Sequence, residues 1–243
     1  MNRKLILFVV FAFVFVTILA IIQIAANISF EIIALPQLAP ALAYLAIILL
    51  FKDLYKPIII NINKIVLIKA FIAIIFPLIL FTLSYFTGKL IGIDVEIKSN
   101  LFSIITATLL GFTIGAITEE IGWRSFFQPT LEQKHSVIIS SIIVGLIWGL
   151  WHIGHFGNGI LFMLVFLVFT ISCSIIIAYL LKDTKYNLII SSLFHLSINI
   201  SFAVFFAGGF GNIKLFLINS IVWLLAAILT IIFGRKYYFV KAK

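Results

Sequence analysis

The chain has 243 residues, of which 64% are hydrophobic and only 10% charged, and its mean hydropathy is +1.29. A water-soluble domain of this length cannot hide that much apolar surface in one core, so composition excludes a soluble globular enzyme and points to an integral membrane protein. The net charge of +9 reads as a topology signal plus attraction to anionic lipid, and no nucleic-acid partner is needed to explain it.

Runs of about 20 apolar residues cross the hydrocarbon layer as helices, and eight candidates follow one another along the chain. They are Leu5 to Ile24, Ile32 to Phe51, Ala70 to Thr87, Leu101 to Ile121, Ser136 to Trp151, Ile160 to Leu181, Leu188 to Ala207 and Leu215 to Phe233. The first run, behind Asn2, Arg3 and Lys4, is too long for a signal peptide core and is expected to stay as a helix. Pro36 and Pro40 stand near the start of the second span, where a missing amide does little harm, whereas Pro77 falls inside the third and should kink it. Of the 17 basic residues, all but Lys89, Lys98 and Lys214 fall on one side if the N-terminus is inside. That asymmetry predicts both termini in the cytoplasm and an even number of spans. The expected fold is therefore an all-α, polytopic transmembrane helix bundle. With no repeat and no polar gap longer than Gly88 to Asn100, residues 1–243 read as a single integral membrane domain. The lone cysteine, Cys173 in the sixth span, permits no disulfide and reads as a packing residue.

Against this apolar background the polar residues carry the information. Glu119, Glu120 and Arg124 close the fourth span, where an ionised carboxylate costs roughly 2.5 to 3.5 kcal/mol to insert, so they should face the protein interior. Glu120 and Arg124 are four apart, share a helix face and form an expected structural ion pair. Glu119, rotated by about 100°, is the carboxylate left for chemistry. Histidines follow: Trp148 and His152 at the end of the fifth span, and His195 and Asn199 in the seventh, each pair on one helix face.

Depth offers a check. Counting from the turn at Lys134, Glu119 lies 15 residues before it and His152 lies 18 after, about 22 and 27 Å in, at 1.5 Å per residue. From Lys185, His195 and Asn199 lie 10 and 14 residues in, about 15 and 21 Å. All four side chains can therefore meet in one buried pocket. His155, farther round the helix and nearer the surface, and His135, in a turn, are weaker candidates.

Glu119-Glu120-x-x-x-Arg124, Trp148-x-x-x-His152 and His195-x-x-x-Asn199 together resemble the signature of the CPBP family, the CAAX prenyl endopeptidases and bacteriocin-processing or immunity membrane proteins. The resemblance covers residues 101–199, the motif-bearing core. It implies an intramembrane endopeptidase in which Glu119 with His152 activates a water, His195 and Asn199 stabilise the oxyanion, and Glu120 with Arg124 holds the site together. Trp148 stands where phenylalanine is common. The family is often labelled metalloprotease. There is no His-Glu-x-x-His here and asparagine is a poor zinc ligand, so the residue types favour a glutamate mechanism; zinc, if used, would sit on Glu119, His152 and His195.

Two rival readings use the same residues. A non-catalytic immunity or regulatory protein of this fold would keep them for structure, and a proton-coupled transporter would use them as a relay, although the chain shows no paired, interrupted halves. Richness in Ile, Lys and Asn suggests an AT-rich bacterial genome, which places the protein in a bacterial cytoplasmic membrane with a membrane-associated peptide or protein as substrate.

Overall fold

The computed structural model describes residues 3–30, 32–93, 101–206 and 213–239. Lys98, Lys241 and Lys243 lie outside the described residues, as do the last residues of the Gly88 to Asn100 gap and of the seventh apolar run. Every described apolar run is helical and no strand occurs among the described residues. Hydrocarbon offers no partner for a bare amide, so each segment satisfies its backbone internally.

The helices are α1 (Arg3–Ala25), α2 (Ala39–Leu50), α3 (Lys64–Leu90), α4 (Leu101–Gly122), a short α5 (Gln128–Leu131), α6 (Val137–Trp151), α7 (Ile160–Leu180), α8 (Leu188–Phe205), α9 (Ile213–Phe233) and a short α10 (Arg235–Tyr238). Among the described residues, five helices, α1, α3, α7, α8 and α9, are long and apolar enough to cross a membrane. The α3 helix continues through Pro77 for 27 residues.

Two of the expected spans are shorter than the sequence suggests. The second run opens as a 3₁₀ turn at Leu35–Leu38, and α2 proper has 12 residues, about 18 Å of helix. The fifth ends at Trp151 after 15 residues, with His152 as its C-cap and a 3₁₀ segment over Ile153–Asn158. Pro36 and Pro40 set the first of these ends, since neither can donate to a preceding turn. Both short helices stop at the same end of the bundle, and their shortness leaves room there.

Lateral faces follow the four-residue rhythm. On α1, Leu5, Phe8, Ala12 and Val16 are buried while Ile6, Val10, Val14 and Ile18 are exposed, which makes the second set a lipid-facing stripe. The α7 helix is buried over most of its length and packs between α6 and α9. Close approach depends on small residues: a Cβ on Gly145 would stand 2.5 Å from the Ile171 Cα, and one on Gly115 would stand 2.1 Å from the Gln37 Oε1. Either substitution would push a neighbouring backbone or side chain aside.

The opposite end of the bundle is tied by polar contacts. Lys4 meets Asp53 at 2.7 Å and holds that exposed carboxyl below the usual carboxylate range. Lys69 donates to the Lys182 carbonyl. Asn187 caps α8 through the Ile189 amide, at 3.0 Å, and donates to the Asn61 carbonyl at 2.7 Å, while Asn63 caps α3.

Candidate active site

The acidic pair sits on the last turn of α4, just before a π-helical turn over Trp123–Phe127. Such a turn inserts a residue into the helix and re-aims the side chains beyond it. Glu119 is 0% exposed and Glu120 and Arg124 are each 1% exposed. Three ionisable groups with so little water must be compensated within the protein.

Glu119 is held from two sides. Gln37 Nε2 donates to its Oε1 at 3.1 Å and Trp148 Nε1 donates to its Oε2 at 2.8 Å. His195 Nε2 lies 3.9 Å from the same Oε2, longer than a hydrogen bond. The other nitrogen of His195, Nδ1, is 3.0 Å from Glu120 Oε1. The imidazole therefore stands between the two carboxylates. Because a carboxylate can only accept, Nδ1 carries a proton toward Glu120, and Nε2 is the nitrogen that faces Glu119.

Glu120 also faces Arg124, whose Nε is 3.4 Å from Oε2. Arg124 Nη1 donates to Gln128 Oε1 at 2.6 Å and to Ser174 Oγ at 2.9 Å, and Ser174 donates to the Ser141 carbonyl at 2.6 Å. Gln128 passes the chain on to Glu132 Oε1 at 2.9 Å, and Tyr186 donates to Glu132 Oε2. Glu120, Arg124, Gln128 and Glu132 are spaced every four residues, so one polar ladder descends from the site to the basic end.

On the other side of Glu119 is a cavity of about 250 Å³ whose lining includes Gln37, Trp148, His152, His155, His195 and Asn199 together with five phenylalanines. The Trp148 indole separates two imidazoles, its centroid 5.9 Å from His152 and 5.3 Å from His195. His152 Nδ1 is 2.8 Å from the Trp148 carbonyl; a carbonyl only accepts, so Nδ1 holds the proton and Nε2 the lone pair. Asn199 reaches the cavity with an Nδ2 that is buried and has no hydrogen-bond partner.

The arrangement departs from the depth argument in two ways. Trp148 rather than His152 stands level with Glu119 and bonds to it; by the same counting from Lys134, Trp148 lies about 21 Å in. His152 sits a turn farther out as the C-cap of α6, held through the tryptophan. Glu120 is also more than an arginine partner, since it grips His195.

His155 is not peripheral. Its ring stacks on that of His152 with centroids 5.5 Å apart and planes at 6°, and it lines the cavity. His135 lies in the turn after Leu131, its amide bonded to that carbonyl.

Gln37 belongs to none of the sequence motifs, although a lone amide at the head of an apolar run is itself a signal. Gln128 and Ser174 also stand outside the motifs, and Gln128 continues the four-residue spacing from Glu120. Among the described residues no three His, Cys, Asp or Glu side chains are grouped so as to hold a metal ion.

Residues 100–201 match the sequence model of the family described as type II CAAX prenyl endopeptidase, Rce1-like. The chain is also similar to lysostaphin resistance protein A of Staphylococcus haemolyticus (strain JCSC1435), 26% identical over 197 residues that take in 79% of this chain and 54% of that protein. Against lysostaphin resistance protein A of Staphylococcus aureus (strain bovine RF122 / ET3-1) it is 28% identical over 185 residues, 73% of this chain and 44% of that one. The corresponding protein of Staphylococcus aureus (strain Newman) gives 28% over 185 residues, with 73% and 43% covered. The chain thus spans about half the length of the curated relatives it matches.

Proposed function

We propose that this chain, whose residues 100–201 match the Rce1-like family model, is a CPBP-family endopeptidase that hydrolyses a peptide bond of a membrane-associated peptide or protein with a glutamate-activated water. The observation that carries the reading is a buried carboxylate, Glu119, held directly behind the cavity wall by the lining residues Gln37 and Trp148, while Asn199 brings an unpartnered amide nitrogen to the same cavity. Peptide hydrolysis needs a base for water and a donor for the developing oxyanion, and these two groups supply them.

In this mechanism Glu119 takes a proton from a water held near its Oε2 and His195 Nε2. The water attacks the scissile carbonyl, and Asn199 Nδ2 donates to the oxygen as it gains charge. Gln37 and Trp148 fix both oxygens of Glu119, so that little reorganisation is needed at the moment of attack. Glu120 holds the direction of His195, and Arg124 neutralises Glu120. As the tetrahedral intermediate collapses and its C–N bond breaks, the proton taken up by Glu119 passes to the departing amine, while His152, across Trp148, lines the cavity that holds the substrate. This differs from the family-based expectation in giving His195, not His152, the position next to Glu119.

The test is cleavage of membrane peptides by the purified, reconstituted protein, with and without exhaustive chelation. A glutamate site keeps its activity and holds no stoichiometric zinc. One zinc per chain required for turnover would sink the metal-free chemistry.

The relatives' printed name, lysostaphin resistance, favours a second reading in which the same fold protects the cell without hydrolysis. Glu119→Gln separates the two: a resistance phenotype that survives in that variant supports the non-catalytic role, and its loss with folded protein intact supports hydrolysis.

A further inference from the structure

The cavity and most of the described basic residues lie at opposite ends of the bundle, with Lys89 at the end of α3 and Lys214 at the start of α9 on the cavity's side. Ala34 stands before α2, His155 after α6, and Phe206 directly after α8, and all three line the cavity. The other ends of the same helices carry the loops with Lys52 and Lys56 after α2, Lys134 before α6, and Lys182 and Lys185 before α8. Lys4 with Asp53, Lys69 with the Lys182 carbonyl and Asn187 with Asn61 tie those basic ends to one another. Short loops rich in Lys and Arg are retained in the cytoplasm, so the mouth of the cavity faces the other way.

The lining itself limits the occupant. No Lys or Arg is among its described residues, and the nearby Arg124 is committed to Glu120, Gln128 and Ser174. A site for a chain's terminal carboxylate would present a cation to it. Instead the walls are Phe112, Phe166, Phe169, Phe202 and Phe206, which suit a bulky apolar side chain from within a peptide.

We propose that the cavity is entered from the extracytoplasmic face and takes an internal segment of a membrane-anchored peptide, through a large apolar residue, presented on that side. The entry side stands independently of the hydrolytic reading; the peptide occupant rests on it.

Gly157, in the turn between α6 and α7, has open space where a Cβ would stand, and Lys134, at the basic end, is exposed. The native Cys173 is buried and contributes background only. In intact cells expressing the full chain, a membrane-impermeant maleimide should label Gly157→Cys at least about tenfold more than Lys134→Cys, with Lys134→Cys reacting only after permeabilisation. The reverse pattern overturns the proposal. A membrane-anchored reporter carrying a phenylalanine-centred segment, built once facing out and once facing in, should be cut only when facing out. Cutting of the inward reporter alone overturns the proposal whatever the labelling shows. Labelling from outside with neither reporter cut keeps the entry side, overturns the peptide occupant and counts against hydrolysis.

Discussion

Two polar clusters drawn from several helices, one on each side of His195, are built to different standards. Below it, Arg124, Gln128, Ser174 and Glu132 form a ladder whose rungs are joined at 2.6 to 2.9 Å, topped by a looser ion pair in which Arg124 Nε and Glu120 Oε2 face each other at 3.4 Å without a hydrogen bond. Above it, the cavity side holds an amide nitrogen of Asn199 with no partner and a 3.9 Å gap between His195 and Glu119. Buried polar groups that satisfy one another stabilise a fold, whereas those left open cost free energy and persist where a ligand or transition state completes them. Adjacent glutamates therefore divide by neighbourhood: Glu120 joins His195 to the ladder through Arg124, and Glu119 backs the cavity wall through Gln37 and Trp148.

The largest expected effect lies on the cavity side. Glu119→Gln should lower turnover by roughly 10² to 10⁴, the range for removing a general base, while the amount of folded protein in detergent falls far less. If turnover is preserved, Glu119 is not the base. On the ladder side the order reverses. Arg124→Ala strands Glu120 in the interior at a cost of about 3 to 5 kcal/mol, and thermal unfolding should show a large loss before any kinetic comparison is possible. Equal losses of folded protein in the two variants would erase the distinction between the two clusters.

Asn199→Ala sharpens the cavity assignment. As an oxyanion donor it should cost roughly 10² to 10³ in kcat with KM little changed, and unfolding temperature should hold because no partner is orphaned. Gln37→Ala is expected to be milder, about tenfold in kcat, by freeing one oxygen of Glu119. Gly115→Ala should mimic it, since its Cβ would displace the Gln37 amide. Smallest is Ser174→Ala, about 1 kcal/mol of stability with activity near normal; a strong loss of turnover there would extend the active machinery into the ladder.

Membrane residence and helical class are legible from hydropathy, because a bilayer admits few backbone solutions and an apolar run of sufficient length has one outcome. The ion-pair spacing of Glu120 and Arg124 is likewise local, four residues on one face. The short α2 and α6 were not legible from their apolar runs, since hydropathy does not register where a helix hands over to a 3₁₀ turn. Pro36 was visible, but its effect depends on what packs beside it.

The sequence by itself determined that carboxylates, imidazoles and an amide would be buried together in a membrane, since each is too costly there to lack a partner. Only the tertiary structure decided which partner each one has. Gln37 reaches Glu119 across 82 residues of chain, Trp148 takes the level expected of His152, and His155 turns onto His152 at the end of α6. Those choices depend on where helices stop and how closely glycine lets them approach, and both are settled by packing between segments rather than by spacing within one.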